Sequence, residues 1–483
     1  MIELGPVLFI LGMLLTFLAI AMCVPATIDL VNHYSDWQVF LGVAGITLFV
    51  GVLTMLATRT VRGSKLNLRQ AFLLTTLSWL VISSFAALPF FFSDLDMTLA
   101  DSFFESMSGV TTTGATVISD LNHAPPGILM WRALLQWLGG LGIIVIALAI
   151  LPTLSVRGMQ LFLTEAFDLA DKVLPRAAQL AAGLGVMYFI ITFICAISLW
   201  FAGMDVFDAV AHAMSTISTG GYSTKDDSIG YFNIPAIHWI VTFGMILGSL
   251  PFIHYVGIAH GDIRSILRDR QVQCFLMLVL IAVALVSIWI TYYINLDPYD
   301  AVRFAAFNVV SIITGTGYIT MDFSTWGGFA VTLMLFLMFL GGCSGSTTCG
   351  IKIFRFQVLY AMAKVRFARL LRPHGIFIPY YNRKPIPESL SESVTGFVFL
   401  YIICFCLVAI GLAAMGLDSI TALSGAATTI SNVGPGLGSI IGPAENFDKL
   451  PDAAKWLLSF AMLLGRLEIF TVLLLLTPRF WSK

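Results

Sequence analysis

Four stretches of this chain, SGVTTTGAT (108–116), STISTGGYST (215–224), SIITGTGYIT (311–320) and TTISNVGPGLG (428–438), are variants of one turn. They align on a single glycine each: Gly114, Gly221, Gly317 and Gly434. Six residues earlier stands a serine in the first three copies (Ser108, Ser215, Ser311) and Thr428 in the fourth. An acid opens the short apolar stretch ahead of every turn: Asp101, Asp208, Asp300 and Asp418. That acid lies 13 residues before its glycine in the first two copies and farther in the last two. Shape thus recurs more faithfully than sequence, as expected where one chain must surround a central axis.

Each copy runs in the order long apolar segment, half-length apolar segment of about 12 residues, turn, apolar segment; the half-length piece is too short to span. Irregular backbone at membrane depth survives only inside protein or beside a water-filled path. Glycine admits φ > 0, so successive carbonyl groups can be turned toward one axis. Oxygens from four such turns could replace the hydration shell of a monovalent cation. One turn alone reads as a helix cap in a buried loop; four in register read as a cation pore.

The composition sets the solvent. Hydrophobic residues make up 58% and charged residues 11% of 483 positions, with a mean hydropathy of +0.92, which excludes an ordinary soluble domain. Ten segments approach the roughly 20 residues a spanning helix needs: about 5–31, 38–58, 70–92, 127–153, 177–203, 235–258, 272–294, 327–342 continuing into 350–370, 393–416 and 453–478. The first lacks a basic flank and a small-residue cleavage site, so it reads as a retained helix.

Lys and Arg fix the orientation. Twenty of the 26 fall on one side: Arg59, Arg62, Lys65 and Arg69; Arg157, Lys172 and Arg176; Arg264, Arg268 and Arg270; the run from Lys352 to Lys384; and Arg479 with Lys483. By the positive-inside rule that side, with both termini, is cytoplasmic. The four turns then face outward together with most of the acids, among them Asp101, Glu105, Asp208, Asp226, Asp300 and Asp418. A mouth of that sign would concentrate cations. The seven cysteines lie mostly in apolar stretches and show no disulfide or metal spacing. The seven histidines form no ligand cluster, and His212 reads as packed.

On these residues, and above all on WRALLQWLGGLGIIV (131–145), GGCSGSTTCGIK (341–352), SNVGPGLG (431–438) and GRLEIFTVLLLLTPRFW (465–481), the chain resembles the TrkH type of the Trk/Ktr/HKT superfamily of potassium transporters over essentially its whole length. The resemblance implies an all-α integral membrane protein, four pseudo-symmetric helix, pore-helix, helix repeats around one pore plus an N-terminal helix pair. Its layout would be 1–69 for that pair, 70–176, 177–271 and 272–375 for the first three repeats, 376–392 for a cytoplasmic linker, and 393–483 for the fourth repeat. It implies potassium as the transported ion and no organic cofactor, in a bacterial cytoplasmic (inner) membrane. The filter residues would be Thr112, Thr113, Gly114, Gly220, Gly221, Thr316, Gly317, Asn432, Val433 and Gly434. A homodimer, a cytoplasmic TrkA-type nucleotide-binding regulatory subunit and membrane lipid would be the partners, with no nucleic acid. The turns depart from the TVGYG pattern of potassium channels, while glycine in all four turns is what the family associates with potassium preference, serine in the first going with sodium permeation in some plant relatives; Gly114 is a glycine.

The run GGCSGSTTCG (341–350) breaks an apolar stretch and should unwind its helix. A place just below the third turn fits it, and the resemblance makes it a gate built on Gly341, Gly342, Gly345 and Gly350. Close helix packing by small residues is the alternative. Arg466 sits mid-helix among apolar residues, where a charge is generally functional or paired; it would repel ions or hold the gate loop, or else pair with an acid on another helix. Arg132, beside Trp131, reads as snorkelling to the outer interface.

The leading reading is therefore potassium uptake through a gated filter, and no enzyme. A sodium-permeable or ion-coupled (proton or sodium) symporter of the same fold is the alternative within transport. An intramembrane enzyme would need embedded Ser and His or paired Asp, whereas the Asp residues here fall at the outer mouth.

Overall fold

The computed structural model describes residues 3–61, 66–149, 177–382 and 384–481. Arg62, Lys65, Arg157, Lys172, Arg176, Arg383 and Lys483, used above for orientation, lie outside the described residues. The chain opens with α1 (Gly5–Ala21), α2 (Cys23–Val31) and α3 (Trp37–Ala57). Then the order long helix, short helix, turn, helix occurs four times. The first set is α4 (Leu68–Phe92), α5 (Leu99–Val110) and α6 (Pro126–Ala149); the second is α7 (Ala177–Phe201), α8 (Val206–Ile217), α9 (Pro235–Ser249) and α10 (Phe252–Ala259). A short α11 (Arg264–Arg268) leads to the third: α12 (Arg270–Tyr293), α13 (Pro298–Ile313), α14 (Gly327–Leu337) and α15 (Ile353–Leu371). A two-residue hairpin, Tyr380–Tyr381 with Lys384–Pro385, precedes the fourth: α16 (Glu388–Ala414), α17 (Ser419–Ser431), α18 (Asp452–Arg466), α19 (Phe470–Leu475) and α20 (Pro478–Trp481).

The four short helices start where the sequence placed an acid. Asp101, Asp208 and Asp300 each occupy the third position of their helix, and Asp418 is the N-cap of α17. Thr98 and Asp101 form a reciprocal capping box, while Asp418 Oδ2 accepts from the N–H groups of Ile420 and Thr421, both at 3.1 Å. These carboxylates satisfy orphan N–H groups and complement the positive helix ends. The opposite, negative ends run straight into the four turns.

Among the described residues, six helices are long and apolar enough to cross a membrane, and the pair α9 and α10 is one further broken span bent by 95°. Those six match predicted segments; the other predicted spans are less regular than expected. α6 runs to the edge of the described residues. The break between α9 and α10 falls at Leu250 and Pro251, and Pro251 has no N–H to continue the ladder. α14 stops at Leu337, as the Gly/Ser/Thr run predicts. The last segment breaks after Arg466, where Glu468 and Ile469 take φ of 58° and 52°.

Among the described residues, beside two smaller clusters, two large apolar cores hold most of the helices. One joins α1 to α6 with α16 to α19, and the other is built mainly on α7 to α14. In three places the last part of one set packs on the short helix of the next: α6 on α8, α9 on α13, and α18 on α5.

Candidate functional site

The four turns meet head to tail. A Cβ added to Gly114 would strike the carbonyl oxygen of Gly220, one on Gly221 that of Thr316, and one on Gly317 that of Val433. One on Gly434 would come within 2.9 Å of the Thr113 carbonyl oxygen, which returns the contact to the first turn. The aligned glycines have φ of 86°, 80°, 83° and 109°, and the residue two before each, Thr112, Thr219, Gly315 and Asn432, is also left-handed at 53°, 52°, 65° and 54°. The N–H of Thr113, Gly220, Thr316 and Val433 is tied back to the carbonyl of Ser108, Ser215, Ser311 and Thr428 at 2.8, 2.8, 2.9 and 2.9 Å. The Ser or Thr six residues ahead of each glycine thus marks the carbonyl that anchors the turn. What recurs is one backbone conformation, and it leaves the carbonyls preceding the glycines along the seam of the ring. With four negative helix ends behind them, these oxygens suit a desolvated monovalent cation.

The predicted ring residues come together: Thr112, Thr113, Gly114, Gly220, Gly221, Thr316, Gly317, Asn432, Val433 and Gly434 lie in these four turns, and all are buried except Gly114, Gly221 and Gly317, which are half-buried. The side chains repeat with twofold rather than fourfold symmetry. Thr111 and Thr113 share a hydroxyl hydrogen bond of 2.7 Å, as do Thr314 and Thr316, whereas the other two turns carry Gly220 and Val433 before the aligned glycine. Asn432 of the fourth turn donates to Thr113 Oγ1 at 2.8 Å and to the Met462 carbonyl at 3.0 Å.

Behind the ring lies a network that sequence reasoning missed. Arg132 is 1% and Glu105 0% exposed; Arg132 Nε donates to Glu105 Oε1 and its Nη1 to the Ser223 carbonyl, both at 2.7 Å. Its guanidinium also lies 4.0 Å from the Tyr222 ring centroid. Arg132 therefore does not snorkel to the outer interface; it braces the first two turns, and its partner is a buried acid 27 residues away. Glu105 in turn accepts from Thr116 Oγ1 at 3.1 Å and from the Val117 N–H at 2.9 Å. Tyr222 Oη donates to the Glu105 carbonyl at 2.8 Å, and Tyr318 Oη to the His212 carbonyl at 3.2 Å, so each tyrosine following an aligned glycine grips the preceding set. His212 is packed as expected, bonded to the Asp208 carbonyl and Ser223 Oγ at 2.8 and 3.0 Å.

Several acids expected at the mouth have structural partners. Glu105 is buried behind the ring, and Asp101 pairs with Lys455 of α18 across the junction of the fourth and first sets. Burial alone would raise the Asp101 carboxyl, but the hydrogen bond and charge of Lys455 together with the hydrogen bonds from Thr98 outweigh it and hold the group below the usual carboxylate range. Asp226 accepts from the N–H groups of Leu121 and Asn122 at 2.8 and 3.3 Å. Among the described residues no three His, Cys, Asp or Glu are grouped to hold a metal ion.

The interrupted segment after α14 closes as a small loop, with Leu340 and Ile351 paired at its base. It sits beneath the second turn, not the third. Thr347 Oγ1 lies 3.1 Å from Thr219 Oγ1 and donates to the Ile217 and Gly248 carbonyls at 3.2 and 2.9 Å. Cys343 N–H reaches the Ser249 carbonyl at 3.0 Å, and the Gly345 carbonyl accepts from Phe252 N–H at 3.0 Å. The loop thus uses the backbone groups freed by the break between α9 and α10, an outcome that required knowing which helices are neighbours. Gly341 and Gly342 are closely packed, while Gly345 and Gly350 have φ of 74° and 73°.

Arg466, 2% exposed, ties this loop to α6. Its Nη1 donates to the Thr347 carbonyl at 3.1 Å and to Cys349 Sγ at 2.9 Å, and its Nη2 to the Gly139 carbonyl at 3.0 Å. An ion pair with an acid of another helix is thereby replaced by bonds to carbonyls and sulfur; Glu468 pairs instead with Arg355 at 2.7 Å.

Set against known proteins, residues 37–483 match the family model TrkH, described as a cation transport protein. The chain is 43% identical over 480 residues to the Trk system potassium uptake protein TrkI of Halomonas elongata, covering 99% of this chain and 97% of that relative. It is 37% identical over 480 residues to the Trk system potassium uptake protein TrkH of Escherichia coli K12, covering 98% of each. The crystal structure of the potassium transporter TrkH from Vibrio parahaemolyticus is similar with a TM-score of 0.91 at 36% identity, over 99% of this chain and 100% of that one.

Proposed function

We propose, from the premise that this chain belongs to the TrkH family of cation transport proteins, that it carries potassium into the cell through the ring of four turns. The observation that supports this most is the head-to-tail closure of Gly114, Gly221, Gly317 and Gly434 on neighbouring carbonyls. In this reading the carbonyls of Thr113, Gly220, Thr316 and Val433 line the ion path, with Thr112 and Asn432 shaping the turns beneath them. Inward movement of a cation is driven by the membrane potential, worth about 2.3 kcal/mol per charge for each 100 mV.

The loop over 341–350 is the gate in this proposal, and Arg466 is the latch that ties it to α6. Its glycines, Gly341, Gly342, Gly345 and Gly350, allow it to fold back on itself and to change shape. A cytoplasmic TrkA-type nucleotide-binding subunit would act on the basic inner surface and the connection over 352–392. The functional unit would be a homodimer in the bacterial inner membrane with both termini cytoplasmic, and the six-part layout from the N-terminal pair to the fourth repeat is kept as its organisation.

Purified protein in liposomes tests the core of this reading. Rubidium uptake driven by an inside-negative potential, resistant to excess sodium and independent of a proton gradient, is expected. Uptake that requires a proton or sodium gradient would favour the symporter of the same fold, and equal rubidium and sodium flux would sink the potassium filter.

A further inference from the structure

One ring position differs from the rest. The residue before the aligned glycine is Thr113, Thr316 and Val433 in three turns, but Gly220 in the second. Gly220 has no need of a left-handed backbone, because its φ is not positive. What excludes a side chain there is another side chain: a Cβ on Gly220 would run into the amide of Gln136, with its Nε2 at 2.8 Å.

Gln136 comes from α6 and is fully buried. Its Nε2 donates to the Gly220 carbonyl at 2.6 Å, and its Oε1 accepts from the Tyr222 N–H at 3.0 Å. The partners fix the amide's orientation, since a flipped amide would set oxygen against the Gly220 carbonyl and NH2 against an N–H. The same side chain therefore spans both flanks of Gly221. Its neighbour along α6, Gly140, lets the helix approach this closely: a Cβ there would meet Ser218 Cβ at 2.9 Å.

We infer that Gln136 is a specificity-determining residue of the ion path, the second turn's missing side chain supplied from outside the ring. By holding the Gly220 carbonyl from behind, it limits how far that oxygen can close on a smaller ion, and by donating to it, it weakens that oxygen as a ligand. All four turns are tied back on themselves through their N–H groups, and the Gly220 carbonyl is in addition held from a neighbouring helix. Contraction around sodium has to stretch the Gln136 hydrogen bond, which is how the residue would favour the larger ion. This inference rests on the ring being the ion path.

The test is competition of sodium against rubidium uptake in liposomes, with thermal stability of the detergent-solubilised protein measured alongside. Gln136→Glu keeps the size and removes the donor; Gln136→Leu removes both hydrogen bonds. Each should lower the rubidium-to-sodium preference by about three- to tenfold, the worth of one hydrogen bond, while total cation flux persists. Gly220→Thr alone should be damaging through collision with Gln136. In the double variant Gln136→Ala with Gly220→Thr, the second turn gains the threonine of the first and third, and selectivity should recover beyond either single variant. If Gln136→Leu does not fold, Gln136→Glu and the double variant carry the comparison. Wild-type selectivity in Gln136→Glu, or a double variant no better than its parents, overturns the inference, as does lowered stability with an unchanged ion preference. Gly221→Ser separates the two levels: if it alters selectivity and the Gln136 variants do not, the ring stands and Gln136 is structural, whereas if neither does, the ring reading falls first.

Discussion

The ring of turns and the loop beneath it are both irregular backbone within an apolar protein, yet they are held in opposite ways. In the ring, one conformation is made four times and each copy is braced by the next, so the glycines at 114, 221 and 317 cannot accept a Cβ without moving a neighbour's carbonyl. The loop is made once and hangs on scattered partners: Thr347 on α8 and α9, Ser344 N–H on Gln271 Oε1 at 3.1 Å, and Arg466 on the far side. A structure fixed by repetition resists deformation, which suits a filter. One fixed by a few separable hydrogen bonds can be released by removing any of them, which suits a gate.

The strongest test of that contrast is substitution within the ring. A left-handed residue costs a non-glycine about 1–2 kcal/mol before any collision, and at Gly221 the collision is with the Thr316 carbonyl itself. Gly221→Ser, Gly114→Ser and Gly317→Ser should therefore abolish most rubidium preference and much of the flux. The sequence alone predicts equal effects at all four positions; the structure grades them. Gly434→Ser should be mildest, because its nearest obstruction is at 2.9 Å. A Gly434→Ser variant worse than Gly221→Ser in sodium competition would break the idea of a ring closed by carbonyl contacts.

Arg466 probes the loop side of the comparison. Arg466→Ala removes the donors to Thr347 and Gly139, and hydrogen bonds from a charged donor are worth roughly 1.5–3 kcal/mol each. Basal rubidium flux without any partner should rise by about tenfold or more, with ion preference unchanged. Arg466→Lys sharpens the assignment: a point charge cannot reach both carbonyls at once, so a latch predicts an open lysine variant and a charge barrier predicts a closed one. Unchanged basal flux in Arg466→Ala would remove Arg466 from gating altogether. A smaller rise is expected on deleting Gly345 and Ser346, since the tip, an exposed glycine and a buried serine, goes while the base pairing of Leu340 with Ile351 remains; lower flux in a folded deletion would favour simple packing.

The ring was legible in the sequence because its requirement is local: φ > 0 selects glycine, and recurrence four times makes the requirement visible. The acid at the head of each short helix was visible as a recurrence but read as mouth charge; its place at a helix start emerges only once the helix boundaries are known. Arg132 was misread because Trp131 beside it suggests an interface, whereas Glu105, Tyr222 and Ser223 that hold it are brought in by tertiary structure. Gln136 gave no signal at all; its partners are 84 and 86 residues away. The break at Pro251 had a visible cause, while that at Ile469, a β-branched residue at φ 52°, had none in the local sequence. The loop's composition foretold its unwinding but not its neighbours, hence its expected place under the third turn and its actual place under the second.

The smallest expected effect lies at the seam where the fourth repeat closes onto the first. Asp101 and Lys455 join α5 to α18 there, and against the rise that burial would cause, Lys455 and Thr98 together hold the Asp101 carboxyl below its ordinary range. A carboxyl whose folded pKa lies below its unfolded value, about 3.9, contributes stability that is present above the unfolded value and lost as the pH falls through the folded one. In Lys455→Met the lysine's lowering is gone and only the Thr98 hydrogen bonds still oppose burial, so the folded pKa of Asp101 moves up and its contribution to stability above the unfolded value shrinks. The gap in melting temperature between wild type and Lys455→Met should therefore be widest near neutral pH and shrink on acidification toward pH about 3, with Asp101→Asn in the Lys455→Met background removing the remaining pH dependence. Because the ring is braced at several other contacts, rubidium preference should stay within about twofold of wild type, less than one lost hydrogen bond in the filter would cost. A seam variant that lost selectivity as fully as Gly221→Ser would mean that closure between the first and fourth turns depends on this one pair, and the ring would then be no better braced than the loop.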